Sequence, residues 1–315
     1  QAGHVLNIGF NYTFHREDEQ YFYDNYLSTS SGTDAFKLLS DEQVYDFTVD
    51  HIKPLKSGRI ETGVKLRNRS IPTDMQFIPG ANSVLDTNAG GWATYRELIP
   101  AVYGNYVLET KKLEVEAGIR AEYVRIQYDV NPDHSTYKSD GYDYIQPFPN
   151  LRFTYKMNNR NRLSLFYNRR IDRPNEVDIR IFPKYDNAEI IKVGNPALRP
   201  QFTNSIELGY KGLVANKLLI DVYGYYGMYK DFLTRRLVFQ TATNRKFSIP
   251  YNTENEVKSF GYGISLDYRL PANFLVGVNF ASDELTDVPA GFQAGFNTPK
   301  YKTNLKLSNT GFGKN

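Results

Sequence analysis

Four histidines are the side chains of this sequence best suited to ligate a metal or pass a proton near neutral pH. They stand far apart, at His4, His15, His51 and His134. No two have the spacing of a helix face or of a metal-ligand pair, so neither a metal site nor a histidine-centred catalytic set is expected. Cysteine is absent, which removes thiolate ligands, disulfides and a cysteine nucleophile. Asp129, Asp133, Asp140 and Asp143 gather within DVNPDHSTYKSDGYDY, yet their spacing is not that of a calcium-binding loop, and a solvated loop is preferred. No phosphate-binding loop of the P-loop kind occurs, and Gly261 and Gly263 sit inside an alternating run, where glycines mark bends or close packing. The chemistry that remains is binding, without catalytic residues, metal or cofactor.

Charges do recur at fixed spacing elsewhere. In GRIETGVKLR, Arg59, Glu61 and Lys65 alternate with Ile60, Thr62, Val64 and Leu66. In KLEVEAGIRAEY, Glu114, Glu116, Arg120 and Glu122 alternate with Leu113, Val115, Ala117, Ile119, Ala121 and Tyr123. HVLNIGFNYTF, QVYDFTVDH, NLRFTYK, SIELGYK and KSFGYGISLDYR repeat the pattern. Period two with β-branched and aromatic enrichment is the signature of strands with unlike faces, and no helical period of comparable strength competes with it.

Composition sets the bounds. Apolar residues make up 41% of the 315 residues, enough for a folded chain. The 25 Tyr and 20 Phe favour strands and surfaces that are oily at one end and wet at the other. A net charge of +3 from interspersed charges leaves no nucleic-acid footprint. No apolar run approaches the length of a membrane helix. The opening QAGHVLNIGF has neither an initiator Met nor a signal peptide, so the numbering is expected to begin inside a longer or processed product.

About thirteen alternating segments are present, most near the length that crosses a bilayer as a tilted strand. Their connections alternate between short and long. HIKPLKSG, LETKKL, KMNNRNR, KGLVANK and RLPAN are short and carry turn residues. The long ones are read as Arg16 to Glu42, Asn68 to Tyr95, Asp129 to Tyr144, Ile171 to Thr203 and Ser282 to Pro299. Short turns at one end and long loops at the other are the geometry of outer-membrane barrels, whereas a soluble sheet with one face on a core has no reason to sort its loops. The fold expected is therefore all-β: part of an antiparallel transmembrane β-barrel, oily faces on lipid and charged faces on a water-filled or plugged lumen. Within the first long connection, Tyr21, Tyr23 and Tyr26 are candidates for an extracellular ligand surface.

One stretch carries a resemblance. Arg169, Arg170, Arg173 and Pro174 close a strand; Gly194, Asn195, Pro196, Leu198 and Pro200 end the loop after it; Asn204, Ser205, Glu207, Leu208, Gly209 and Tyr210 form the next strand. With FNTPKYKTNLKLSN near the end, this resembles the barrel of TonB-dependent receptors of the Bacteroidetes type, over nearly the whole chain. In physical terms, Gly194 and Asn195 suit a tight turn with positive φ. The three arginines belong at a strand-end rim, where Glu207 or loop carboxylates could pair with them, as a loop anchor rather than ligand contacts.

The resemblance implies an N-terminal plug inside a barrel of about twenty-two strands, with a TonB-contacting segment before the plug. Neither is visible, and NTGFGKN is not the terminal aromatic strand of that family. Residues 1–315 are therefore expected to be a barrel fragment without plug domain or C-terminal strands. Implied partners are outer-membrane lipid, the chain's own plug and missing strands, the TonB complex through an absent N-terminal part, and an unknown small ligand. The implied function is uptake of a glycan, peptide or metal chelate across the Gram-negative outer membrane. Arg59, Glu61, Lys65, Glu114, Glu116, Arg120 and Glu122 would contact the plug or line the ligand's path. An outer-membrane enzyme and a soluble β-rich binding or adhesion module are the rivals.

Overall fold

The computed structural model describes residues 3–27, 30–81, 83, 90–134, 137–183, 190–240, 245–289 and 300–309. Its strands are β1 (Val5–Leu27), β2 (Ser30–Leu55), β3 (Gly58–Ile78), β4 (Gly91–Glu109), β5 (Leu113–Val130), β6 (Asp140–Asn158), β7 (Asn161–Asp172), β8 (Ile190–Lys192), β9 (Gln201–Val214), β10 (Leu218–Lys230), β11 (Leu233–Gln240), β12 (Arg245–Asn252), β13 (Val257–Arg269), β14 (Phe274–Thr286) and β15 (Tyr301–Asn309). A single helical turn, α1 (Glu176–Ile179), follows β7. Twelve strands form one antiparallel sheet in the order β1-β2-β3-β4-β5-β6-β7-β9-β10-β13-β14-β15, where the sequence suggested about thirteen. The other three, β11-β12-β8, make a small sheet between two long loops, with β8 parallel to β12. Among the described residues β1 and β15 are the two edges, so this is an open part of a barrel wall.

Antiparallel neighbours follow one another along the chain because each short connection is a tight turn. Ala215 and Asn216 both adopt left-handed φ (49° and 60°), as do Ala272 and Asn273 (56° and 61°). At the opposite end the loops are long, but shorter and in part differently placed than the sequence suggested. Residues 16–27 and 30–42 are not a loop: they are the upper halves of β1 and β2, with Glu17 opposite Ser40, Glu19 opposite Leu38 and Tyr21 opposite Phe36. Strands likewise extend to Ile78 and restart at Gly91. The connection at 231–256, which contains β11 and β12, was not anticipated.

The alternation reverses part-way up the long strands β2, β3 and β5, and this helps explain the misplaced loops. On β5, Glu114, Glu116, Arg120 and Glu122 share one face, which continues upward as Val124, Ile126, Tyr128 and Val130, none more than 7% exposed. The other face runs through Ile119, 56% exposed, and continues as Arg125 and Gln127, both exposed. β3 does the same: Arg59, Glu61, Lys65, Arg67 and Arg69 give way to Ile71 and Met75. The outer face is thus oily below this row and polar above it. Leu113 to Tyr123, at about 3.3 Å per residue and about 40° of tilt, rises about 25 Å, the height of a lipid-facing band. Above the band the outer face meets water, and the inner face needs its own cover.

That cover is the loop at 173–200. Ile179, Ile181, Phe182 and Leu198 join Phe36, Leu38, Ile71, Met75, Tyr95, Ile99, Val124, Ile126 and Val130 in one buried cluster. Below it, the inner face holds cross-strand ion pairs and rings laid over glycines. A Cβ on Gly63, Gly261 or Gly263 would lie 2.4 to 2.5 Å from the ring of Tyr103, Tyr225 or Tyr223 respectively, the residue opposite in each register.

Candidate functional site

The loop over the inner face is built from local signals. Asn175 caps α1, its Oδ1 accepting from Asp178 N at 2.9 Å. Arg180, 4% exposed, ends the turn. Its Nε donates to Glu176 Oε1 at 2.5 Å, and Nη2 donates to Glu176 Oε2 at 2.8 Å and to Glu17 of β1. Burial disfavours the guanidinium charge, but the bonds and charges of Glu176, then Glu17, outweigh it and raise the pKa. The loop is therefore tied to β1 by a cation that stays charged.

The Gly-Asn-Pro element closes the same loop. Gly194 N donates to Arg180 O at 3.1 Å and Asn195 N to Asp178 O at 2.6 Å. Asn195 Oδ1 accepts from Ala197 N at 3.0 Å, and its Nδ2 donates to Pro250 O at 3.2 Å. The positive φ expected at Gly194 and Asn195 is absent. Glycine is required by space instead: a Cβ there would sit 2.3 Å from Arg180 O and 2.9 Å from Asp178 O. Tyr137 OH donates to Gly194 O at 3.1 Å, and burial pushes its pKa up, so it remains a donor. Pro174 and Pro196 pack beside Tyr95 and Leu198, and Pro200 is buried.

The three rim arginines separate. Arg173 donates to Glu122, whose other oxygen accepts from Arg120 Nε at 2.6 Å. Burial opposes the Arg173 charge, but Glu122, Tyr144 and Glu97 override it and raise its pKa. Arg169 donates to Gln146 Oε1 at 2.8 Å and lies over the Phe202 ring, 5.4 Å from its centroid. Arg170 pairs with Asp172, at 3.5 Å and largely exposed. None pairs with Glu207, the partner raised from the sequence; it is exposed on β9. Asn204 accepts from Tyr167 OH at 3.3 Å, and Tyr210 OH donates to Asn161 Oδ1 at 2.9 Å. A Cβ on Gly209 would make only ordinary contacts, 3.6 Å from Val222 O and 3.7 Å from Cβ of Tyr223, the residue opposite.

The charged strand positions do share one face and neutralise one another. Arg59 bonds Glu61 at 2.5 Å, and Asn105 bridges Glu61 and Glu116 at 3.1 and 3.3 Å. Lys65 pairs with Asp46 at 3.4 Å, and Lys156 pairs with Glu114.

The tyrosines proposed as a ligand surface do not converge. Tyr21 is stacked on Phe36 at 5.1 Å and donates to Glu19, whereas Tyr26, 83% exposed, lies on the opposite face of β1. Tyr23 lies in β1, and its side chain is outside the described residues, as are Phe296 to Pro299 of the second family motif.

Where β1, β2 and the loop meet, a cleft of about 510 Å³ opens between His15, Glu17, Glu19, Glu42, Glu176 and Arg180. The aspartates of the 129–143 segment do not gather: Asp129 pairs with Arg96, and Asp140 Oδ1 accepts from Gly141 N at 2.7 Å. Among the described residues no group of three or more His, Asp or Glu is placed to hold a metal. The sequence did not disclose that His4 and His51 meet, with Nδ1 of one 3.3 Å from Nε2 of the other.

An oily outer face, a polar inner face, tight turns at one end and a loop folded over the inner face at the other describe a barrel wall. A model of the outer membrane protein beta-barrel family matches residues 1–314. The chain belongs to that family. It is a Gram-negative outer-membrane protein, and the soluble alternative is set aside. The outer membrane protein shares its fold with the copper transporter OprC, at 11% identity and a TM-score of 0.60, over 90% of this chain and 44% of that one. The same holds for the ferric yersiniabactin uptake receptor FyuA from Yersinia pestis (11% identity, TM-score 0.60, 98% and 45%). It holds too for the ferric citrate transporter FecA (15% identity, TM-score 0.58, 96% and 44%). The chain spans less than half the length of each of these proteins. No curated protein sequence matches it.

Proposed function

We propose that the outer membrane protein supplies part of the barrel wall of a TonB-dependent receptor that imports a scarce glycan, peptide or metal chelate. The observation carrying this reading is the loop at 173–200. It folds over the inner face and is held there by a buried apolar cluster and by the Glu122–Arg173 and Glu17–Arg180 pairs. A passive pore has no need of a packed core above the membrane, whereas a receptor needs an ordered external surface and a restricted path. The shared fold with named uptake proteins supports the same reading.

In this scheme the charged rows of β3 and β5 abut a plug or line the ligand's path, and the Gly-Asn-Pro element holds the loop. Tyr26 remains a candidate external contact, while Tyr21 serves packing. The plug, remaining strands and TonB contact belong to sequence beyond this chain. Uptake of ligand by cells carrying the full protein is expected to stop when the proton-motive force is dissipated. Uptake that continues unchanged refutes energised import and leaves a passive channel. A rival enzyme reading would need a His, Ser and Asp joined by hydrogen bonds; of the cleft residues His15, Asp18 and Ser40, Ser40 bonds Thr73 and Asp18 pairs with Lys37.

A further inference from the structure

We propose that His4 and His51 form a two-imidazole site for a divalent transition metal, of the zinc, copper or nickel kind, on the outer surface near the short-turn rim. The residues are 47 positions apart in sequence, and the β1–β2 register brings them together. His51 stands directly opposite Leu6, so His4 lies one diagonal step away on the same face.

The separation of the two nitrogens is one that a single metal can also bridge, after small rotations of the two surface rings. His4 Nδ1 and His51 Nε2 are 3.3 Å apart, long for a bond donated by N–H. Two nitrogens each about 2.05 Å from a tetrahedral zinc subtend about 3.3 Å. The ring centroids stand 5.5 Å apart with planes inclined by 29°. The rings thus approach each other nearly head-on through those two nitrogens, and turning each ring about its Cβ–Cγ bond would aim both lone pairs at one metal set to the side of that line. A hydrogen bond between them would also fix one ring as donor and the other as acceptor, whereas a metal accepts a lone pair from each.

The surroundings are those of a water-accessible border. His4 is exposed and His51 half-buried. Thr62 is paired with His51 across β3, and Lys53 lies two residues further along the same face of β2. Above them begins the oily row of Val49, Phe47 and Tyr45 and of Leu6, Ile8 and Phe10. Imidazole pairs favour zinc, copper and nickel over calcium or magnesium. Two of four tetrahedral positions are left to water or to a further ligand. Such a metal would clamp the start of the edge strand β1 to β2 at its least supported end.

The test uses the protein in detergent micelles, titrated with Cu2+ and followed by electron paramagnetic resonance. One tight equivalent with a two-nitrogen signature is expected. His4→Ala and His51→Ala should each weaken that equivalent about a hundredfold, the lower end of what a second linked contact adds, and the double variant should lose the binding that remains. Both side chains are at the surface, so circular dichroism should show all variants folded. Binding retained in both single variants overturns the proposal. So does a signal lost in His15→Gln but kept in His4→Ala.

Discussion

Glu122 holds the loop over the inner face, and replacing it with Gln is the sharpest test of that arrangement. Its side chain is 6% exposed, and it accepts from Arg120 and from Arg173, whose side chains are 33% and 27% exposed. Removing one member of a fully buried pair costs about 3–5 kcal/mol, because the partner is left uncompensated. Here both guanidinia keep some contact with water, so the lower end applies, about 3 kcal/mol. Arg120 is on β5 and Arg173 on the loop, so this energy is lost mainly from loop docking. At about 1.4 kcal/mol per factor of ten, the docked-to-undocked ratio falls about a hundredfold. The amides to follow by hydrogen exchange are Gly194, Asn195 and Leu198, which donate to Arg180 O, Asp178 O and Asn195 O. They should exchange about a hundredfold faster in Glu122→Gln while amides in β13 and β14 are unchanged. Unaltered exchange at Gly194 and Asn195 would refute the idea that this carboxylate fastens the loop. Acceleration throughout the sheet would show that Glu122 supports the wall instead.

Gly194→Ala should undock the same loop by about 1–3 kcal/mol, since the new methyl meets the backbone of Arg180 and Asp178; limited proteolysis of the loop would report it. Phe182→Ala, at a side chain 1% exposed, should cost about 3–5 kcal/mol of packing. That loss should appear as earlier urea unfolding of the loop with the barrel retained. Ile119→Lys places a charge in the lipid-facing row and should cost about 2–4 kcal/mol in vesicles. Arg125→Leu, above that row, should change insertion little, and equal effects from the two would displace the assigned membrane border.

Much of the wall was legible from period two alone, because strand faces differ wherever lipid lies on one side and water on the other. KLEVEAGIRAEY gave the face of Glu114 to Glu122 correctly, and the short turns fell where Asn and Pro clusters stand. The long hairpin of β1 and β2 was misread as a loop for a specific reason. On β2 the apolar side changes face above the membrane, Phe36 and Leu38 continuing the face of Asp46 and Asp50, and on β1 Arg16 to Glu19 put charge on both faces, so neither stretch reads as a simple alternation. VRIQYDV, directly after KLEVEAGIRAEY, carries the reversal in plain view: Val124, Ile126, Tyr128 and Val130 continue the face that held carboxylates. Gly194 was recognised as a glycine position but for the wrong cause, since backbone crowding from residues 178 and 180 has no local signature. The separation of Arg169, Arg170 and Arg173 and the meeting of His4 with His51 depend on register and loop path, which local sequence does not encode.

The rings of Tyr103, Tyr223 and Tyr225 that cover Gly63, Gly263 and Gly261 have a consequence for assembly. A polar inner face of Ser, Asn and Asp offers little to tell one strand alignment from another two residues away, since either would place polar beside polar. A tyrosine whose ring fits only across from a residue lacking Cβ removes that degeneracy. Sliding β13 by two residues along β10 would set the Tyr225 ring against Ser259 in one direction, or the Tyr223 ring against Ser265 in the other. The paired rings and gaps therefore behave like pins in a lock, admitting one alignment as the wall zips together. A change at either member should show itself as misassembly during insertion before it weakens the finished barrel.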